Sequence, residues 1–337
     1  MTDSNKTSRR TFLQTSLAAS AGISAVSKVQ AESAVDATDS KNGVPYGTIG
    51  DVKVSRMLLG SNFMGGEAHS RDLTYVRQLM KNYNTEERVY NSMRIAEAQG
   101  INTVVVWSPK KVIQYNKECG GNMQWISTLR VNHDYTDDQI RKQFDNNLKS
   151  GTRLIYVWGC SGDLLTRDKR IDMLGRALDI AKEMGITCGI GGHSSQVIVE
   201  CEKQKLKPAF YVKTFHQDNY WSATPRENRK DYCWYPPGGD AYLYAGPELD
   251  HNDYHDNMWC LDPEKTADIM KKVTVPWIAF KVLAAGAISP TSAFKYTFQN
   301  GADFMAVGMM DYQVEEDVNI VKGLFARGVK RDRPWHG

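Results

Sequence analysis

Several absences narrow the possibilities first. The six cysteines, at positions 119, 160, 188, 201, 233 and 260, form no CxxC pair and no zinc-finger spacing, which excludes a thiolate-held zinc fold. No stretch approaches the roughly 18 consecutive apolar residues that a spanning helix needs, so no stable membrane anchor is expected. No repeat with a period of roughly 20–50 residues recurs, which excludes solenoids and propellers. A surplus of charge is also missing. The 337-residue chain carries +3, and Lys6, Arg9, Arg10 and Lys28 against Asp3 give residues 1–31 the same +3, so the remainder balances to zero. A neutral body gives no argument for nucleic-acid binding.

What is present begins with a segment to set aside. Ser8-Arg9-Arg10-Thr11-Phe12-Leu13 precedes an Ala/Ser/Gly/Val run and Val29-Gln30-Ala31, an A-x-A-like cleavage site. This resembles a twin-arginine export signal over residues 1–31, which implies the twin-arginine translocase as a partner and a periplasmic or extracellular destination. Residues 32–47 read as a polar linker, 48–330 as the folded body and 331–337 as a tail. In an exported chain Cys233 and Cys260, which bracket one long loop, are the pair expected to form a disulfide if any does.

The body alternates short apolar runs with helical stretches. Strands are expected at Val54–Asn62, Ile101–Trp107, Met123–Arg130, Arg153–Gly159, Ile186–His193, Ala209–His216, Trp277–Ala284 and Ala302–Met310. Helices are expected between them, among them Glu86–Gln99, Asp137–Lys149, Arg170–Met184, Gln196–Lys205, Thr266–Val273 and Val314–Arg327, with Ser289-Pro290 opening another. Near-continuous apolar strands separated by helices indicate a parallel sheet covered by helices, and eight such units in one domain predict a (β/α)8 TIM barrel. One connection breaks the rhythm. Residues 217–262, after the sixth strand, are rich in Trp, Tyr, Asp, Asn, Pro and Gly, and a loop that long over the C-terminal face predicts a lid.

Tyr46-Gly47-Thr48-Ile49-Gly50, then Val54-Ser55-Arg56, Leu58-Leu59-Gly60-Ser61 and Gly65-Gly66, resemble the opening of the aldo-keto reductases, and Ala96-x-x-x-Gly100-Ile101-Asn102 is similar to their second unit. The resemblance implies a barrel with a nicotinamide site at its mouth. The family's catalytic tetrad does not carry over. Val105 stands where its aspartate would be, Trp107-Ser108-Pro109-Lys110-Lys111 holds no tyrosine and Tyr115 comes too late, while Arg130 and Trp158 occupy the places of its lysine and histidine. Its C-terminal signature for adenosine phosphate is missing as well.

The expected strand ends offer other chemistry. Lys213 and Lys281 lie in apolar strands. A lysine there is expected to face the interior or the mouth, where desolvation lowers its pKa and makes it a base or nucleophile; pairing with a carboxylate such as Asp218 or Asp311 is the structural alternative. His193 and His216 end adjacent strands, and with Asp218 they compose a candidate ligand set for Zn, Mn or Fe. The acidic, histidine-bearing run 250–256 of the lid adds to that cluster. His133 is a further candidate acid or base. Asn62, Trp107, Arg130, Trp158 and the lid's Trp221 are candidate substrate contacts, since aromatic faces with polar edges suit a carbohydrate. No strand ends in Glu, which disfavours a glycosidase carboxylate pair. The leading expectation is an exported barrel enzyme working by metal- or lysine-assisted lyase or isomerase chemistry on a small polar substrate. An NADP-dependent oxidoreductase and a non-catalytic sugar-binding barrel are the alternatives.

Overall fold

In a computed structural model of the chain, the structure describes residues 43–67, 69, 73–229 and 259–337. The export signal, most of the linker and residues 230–258 of the expected lid lie outside the described residues. The first element is an antiparallel hairpin, β1 (Tyr46–Ile49) against β2 (Val52–Ser55), in the register Tyr46↔Ser55 to Ile49↔Val52. It turns at Gly50, whose φ of +61° is left-handed and free of strain only without a Cβ. Ile49, Val52 and Val54 are buried in one cluster with Leu58, Ile126, Leu154, Phe210, Ile278 and Phe304. The hairpin therefore stoppers the barrel at its N-terminal end.

The run Val54–Asn62, expected as one strand, is broken at Arg56. Its guanidinium is buried and donates to Asp303 O at 3.1 Å and Gly337 O at 2.8 Å, and its backbone N–H donates to Pro45 O at 2.7 Å. After the break come eight parallel strands: β3 (Met57–Gly60), β4 (Thr103–Val106), β5 (Gln124–Leu129), β6 (Leu154–Val157), β7 (Thr187–Gly192), β8 (Tyr211–Thr214), β9 (Trp277–Phe280) and β10 (Phe304–Val307). Each pairs with the next, and β10 returns to β3 through Met305↔Met57 to Val307↔Leu59. The chain is a closed (β/α)8 TIM barrel, as its periodicity predicts.

The helices outside are α1 (Thr74–Tyr83), α2 (Glu86–Ala98), α3 (Lys110–Cys119), α4 (Asp137–Lys149), α5 (Gly159–Arg167), α6 (Asp172–Glu183), α7 (Ser195–Lys203), α8 (Pro263–Met270), α9 (Pro290–Gln299) and α10 (Asp311–Ala326). Local chemistry starts several of them. Thr136 and Gln139 form a capping box on α4, Asp262 caps α8 ahead of Pro263, and Pro290 sits in the first turn of α9. Among the described residues no helix is long and apolar enough to cross a membrane.

Two departures matter for the site. β9 ends at Phe280 instead of Ala284, because the chain turns through positive φ at Lys281 (57°), Ala284 (45°), Ala285 (55°) and Gly286 (87°). Directly after β6 stands α5, a helix absent from the expectation, with residues 159–166 all buried. A Cβ at Gly162 would lie 2.1 Å from Gly191 O, so the helix rests directly on β7.

Candidate active site

The C-terminal ends of β7 and β9 meet over α5. Asp163 of α5 is fully buried and accepts the backbone N–H of His193 at 3.0 Å and of Ser194 at 2.9 Å. Its Oδ2 lies 2.7 Å from His193 Nδ1. A carboxylate at that nitrogen assigns the hydrogen to Nδ1 and leaves the lone pair on Nε2, the opposite edge of the ring. Burial lowers the His193 pKa from 6.5 to about 4; Asp163 pulls upward, and Lys281 and Lys213 add to the lowering. His193 is therefore a neutral, oriented imidazole at neutral pH. Its ring lies against Trp259 and Phe280, with centroids 5.4 and 5.5 Å away. Below it is Gly159, where a Cβ would come within 3.1 Å of His193 Cε1.

Lys281 reaches the same spot by a backbone device. Along β9 Ile278 and Phe280 face the barrel interior while Trp277 and Ala279 face the helices, so strict alternation would send Lys281 outward. Its left-handed φ breaks the alternation. The ammonium ends 3.4 Å from the Trp259 ring centroid, a cation–π contact on the indole that also touches His193. On the other side of the mouth, β4, β5 and β6 are followed by Trp107, Arg130 and Trp158. The Arg130 guanidinium lies 4.5 Å from the Trp107 ring and 5.0 Å from the Trp158 ring, and the two indoles meet edge-on at 5.1 Å.

The other expected site residues are placed differently. Lys213 is buried, but it pairs in register with Gly192, whose missing Cβ would meet Val197 of α7. It thus stands on the helix-facing side of β8 with Tyr211 and Phe215, not in the interior. Its long apolar stem lets Nζ fold back to Thr214 O at 2.6 Å and Thr214 Oγ1 at 2.9 Å, and burial lowers its pKa. His216 donates from Nδ1 to Gln217 O at 2.8 Å, and its Nε2 accepts the backbone N–H of Trp259 and Cys260 at 3.2 and 3.1 Å. Burial holds its pKa at about 4. Asp218 takes Arg226 and Arg229, each at 2.7 Å, and Arg229 also donates to Leu261 O. His216 and Asp218 thus pin the two ends of the long loop.

The expected metal set of His193, His216 and Asp218 does not fit an ion. Among the described residues no group of three His, Cys, Asp or Glu could hold one. The lid run 250–256 falls outside the described residues. His133 sits on the outer rim with its Nε2 2.9 Å from Asp168 Oδ2. Asn62 opens a short 3-10 turn and is exposed, and Trp221 stands fully exposed in the loop after β8. Cys260 is a free, buried thiol 3.8 Å from Thr266 Oγ1, while its expected partner Cys233 lies outside the described residues. Asp163, by contrast, is a site residue the sequence reading missed. It follows a strand end by six positions in a helix with no side-chain N-cap to signal it.

No family model and no curated protein matches the sequence. Among solved structures the chain is similar to a "Putative aldo-keto reductase from Pseudomona aeruginosa", at 14% identity and a TM-score of 0.53, covering 83% of this chain and 95% of that one. A second, described as "the putative aldo-keto reductase from Pseudomona aeruginosa", gives 13% identity, coverage of 86% and 99%, and a TM-score of 0.54. At such identities the likeness shows the fold, so the class established is a TIM barrel with aldo-keto-reductase-like architecture. Function has to be argued from the site. The Arg130 guanidinium lies against Trp158, 5.0 Å from its ring centroid. Tyr115 is buried in α3 and donates to Glu97 at 2.7 Å.

Proposed function

We propose that this barrel is an enzyme that removes a proton next to a carbonyl or carboxyl group of a small, carbohydrate-like substrate, as a lyase or isomerase. The observation that carries this reading is the buried Asp163–His193 pair at the mouth, a neutral base held by a carboxylate. His193 Nε2 takes the proton, and the electron pair of the broken C–H bond moves onto the substrate oxygen. The Lys281 ammonium, on the same indole, offsets the charge that develops there. In an isomerase the proton returns to the neighbouring carbon or the other face. In a lyase the pair instead forms a C=C bond as a β-oxygen leaves and takes a proton. Lys281 is the charge stabiliser in this scheme, Asp163 is a positioning residue, and no step runs through a metal or a nicotinamide.

The test is deuterium incorporation. Residues 32–337 are incubated in D2O with a panel of sugars and sugar acids, and carbon-bound deuterium is read by NMR. Incorporation that disappears in His193→Gln is expected. Incorporation that persists in that variant, or NADPH oxidation in place of exchange, would sink the reading. We also propose export through the twin-arginine route, on the strength of the Arg9-Arg10 pair and the Val29-Gln30-Ala31 site. Retention of an Arg9→Lys/Arg10→Lys double variant in the cytoplasm, with the parent exported, is the expected outcome.

A further inference from the structure

The substrate-contact side of the mouth carries more chemical detail than the proton-transfer reading uses. Three successive strands are followed by Trp107, Arg130 and Trp158, and the guanidinium carbon lies 4.5 and 5.0 Å from the two indole centroids, which are themselves 5.1 Å apart and edge-on. Both indoles therefore lie to one side of the cation, and a guanidinium meets its hydrogen-bonding partners at the edge, in the plane of its N–H fork. That fork matches a carboxylate in two parallel bonds. The root of the side chain is fixed as well. Gln143 accepts from Arg130 N at 3.0 Å and donates to Arg130 O at 2.8 Å.

We propose that Trp107, Arg130 and Trp158 form a clamp that reads a carboxylate, and that the substrate is an acidic sugar. The clamp rests on the proton-abstraction reading only for what happens after binding. Trp107 is 51% exposed at the rim and offers an indole face to the apolar side of a sugar ring. Trp158 is followed by Gly159, on which His193 packs, so the clamp and the base share one wall. The ends of β5 and β7, two strand spacings apart, lie about 10 Å from each other. That span suits one sugar acid with its carboxylate on Arg130 and its adjacent carbon toward His193. Neutralising the carboxylate also assists the chemistry, because a free carboxylate opposes the negative charge left when the neighbouring proton departs.

The experiment is a titration of intrinsic tryptophan fluorescence with D-glucuronate and with D-glucose. It uses residues 32–337 in wild-type, Arg130→Met and Arg130→Lys forms, each checked for folding by circular dichroism. Glucuronate is expected to bind at least ~10-fold more tightly than glucose, with the preference lost in Arg130→Met and part-kept in Arg130→Lys. Equal affinities, no binding of either sugar, or a preference that survives Arg130→Met would overturn the clamp. The two readings fail separately. Glucuronate preference without deuterium exchange keeps the clamp and removes the base, whereas exchange of a neutral sugar without that preference does the reverse.

Discussion

His193 and Asp163 make a claim about pH that can be measured. A base whose pKa has been lowered to about 4 stays unprotonated above that value, so turnover should rise with pH through about 4 and then level, instead of rising near 6.5. Asp163→Asn should lower kcat by about 100-fold with little change in KM, because the ring loses its orienting acceptor while the binding side stays intact. Stability follows the same groups. His193 and His216 both fold with pKa about 4 against 6.5 when unfolded, so each contributes stability that is full above about 6.5 and lost as pH falls toward 4. The slope is about 1.4 kcal/mol per pH unit for each group inside that window. Chemical denaturation at pH 7 and pH 5 should show it. Asp317 of α10 acts in the opposite sense. Burial raises its pKa to about 7, and its Oδ2 has no hydrogen-bond partner. Its unfolded form ionises near 3.9, so it costs stability increasingly between about 4 and 7. Asp317→Asn should melt higher than wild type at pH 8, with the difference closing at pH 4.

At the scale of elements, α5 is the part that periodicity could not announce. It is nine residues long, begins with a glycine, has Trp158 at its N-cap without a side-chain cap, and is buried at all but its last residue, so neither start signal nor amphipathic stripe marks it. The eight strands were legible because their apolar runs are short and bounded. The histidine at the end of β7 was legible for the same reason, but its carboxylate was not. Lys213 misled because alternation fixes where a Cβ points, while four methylenes let the ammonium return to the strand end. The left-handed turn at Lys281, which carries its ammonium to Trp259, leaves no mark in the sequence. The contact of α5 with β7 gives a paired prediction. Gly159→Ala should fold and lose about 100-fold in turnover, because the added methyl meets a ring that can shift by a few tenths of an ångström. Gly162→Ala should cost about 3 kcal/mol or more, because its methyl comes within 2.1 Å of the Gly191 carbonyl oxygen, backbone that cannot step aside as a side chain can. Comparison of melting temperature and turnover for the two variants checks both.

At the scale of the molecule, the base of the barrel is organised around Asp303. It is fully buried and receives Arg333 at 2.6 Å, Arg331 at 3.2 Å, the backbone N–H of Trp277 at 3.1 Å and that of His336 at 2.9 Å. Asp303→Asn would leave those guanidinium groups buried without their counter-charge, a loss of about 3–5 kcal/mol readable by urea denaturation. The tail residues Arg331 and Arg333, expected only as an appendage, are therefore part of the fold. The same region joins the chain's first barrel strand to its last. Arg56 reaches the carbonyl of Asp303 across 247 residues of sequence, beside the β3–β10 ladder that completes the ring. Closure over so long a separation has a kinetic consequence. Until the ribosome has released residues 304–307, β3 and β9 are both open sheet edges, and any nascent barrel is a template for pairing with its neighbours. Closure has to wait for that last strand, and a chaperone that shields the edges of β3 and β9 until it arrives is expected to raise the yield of folded protein.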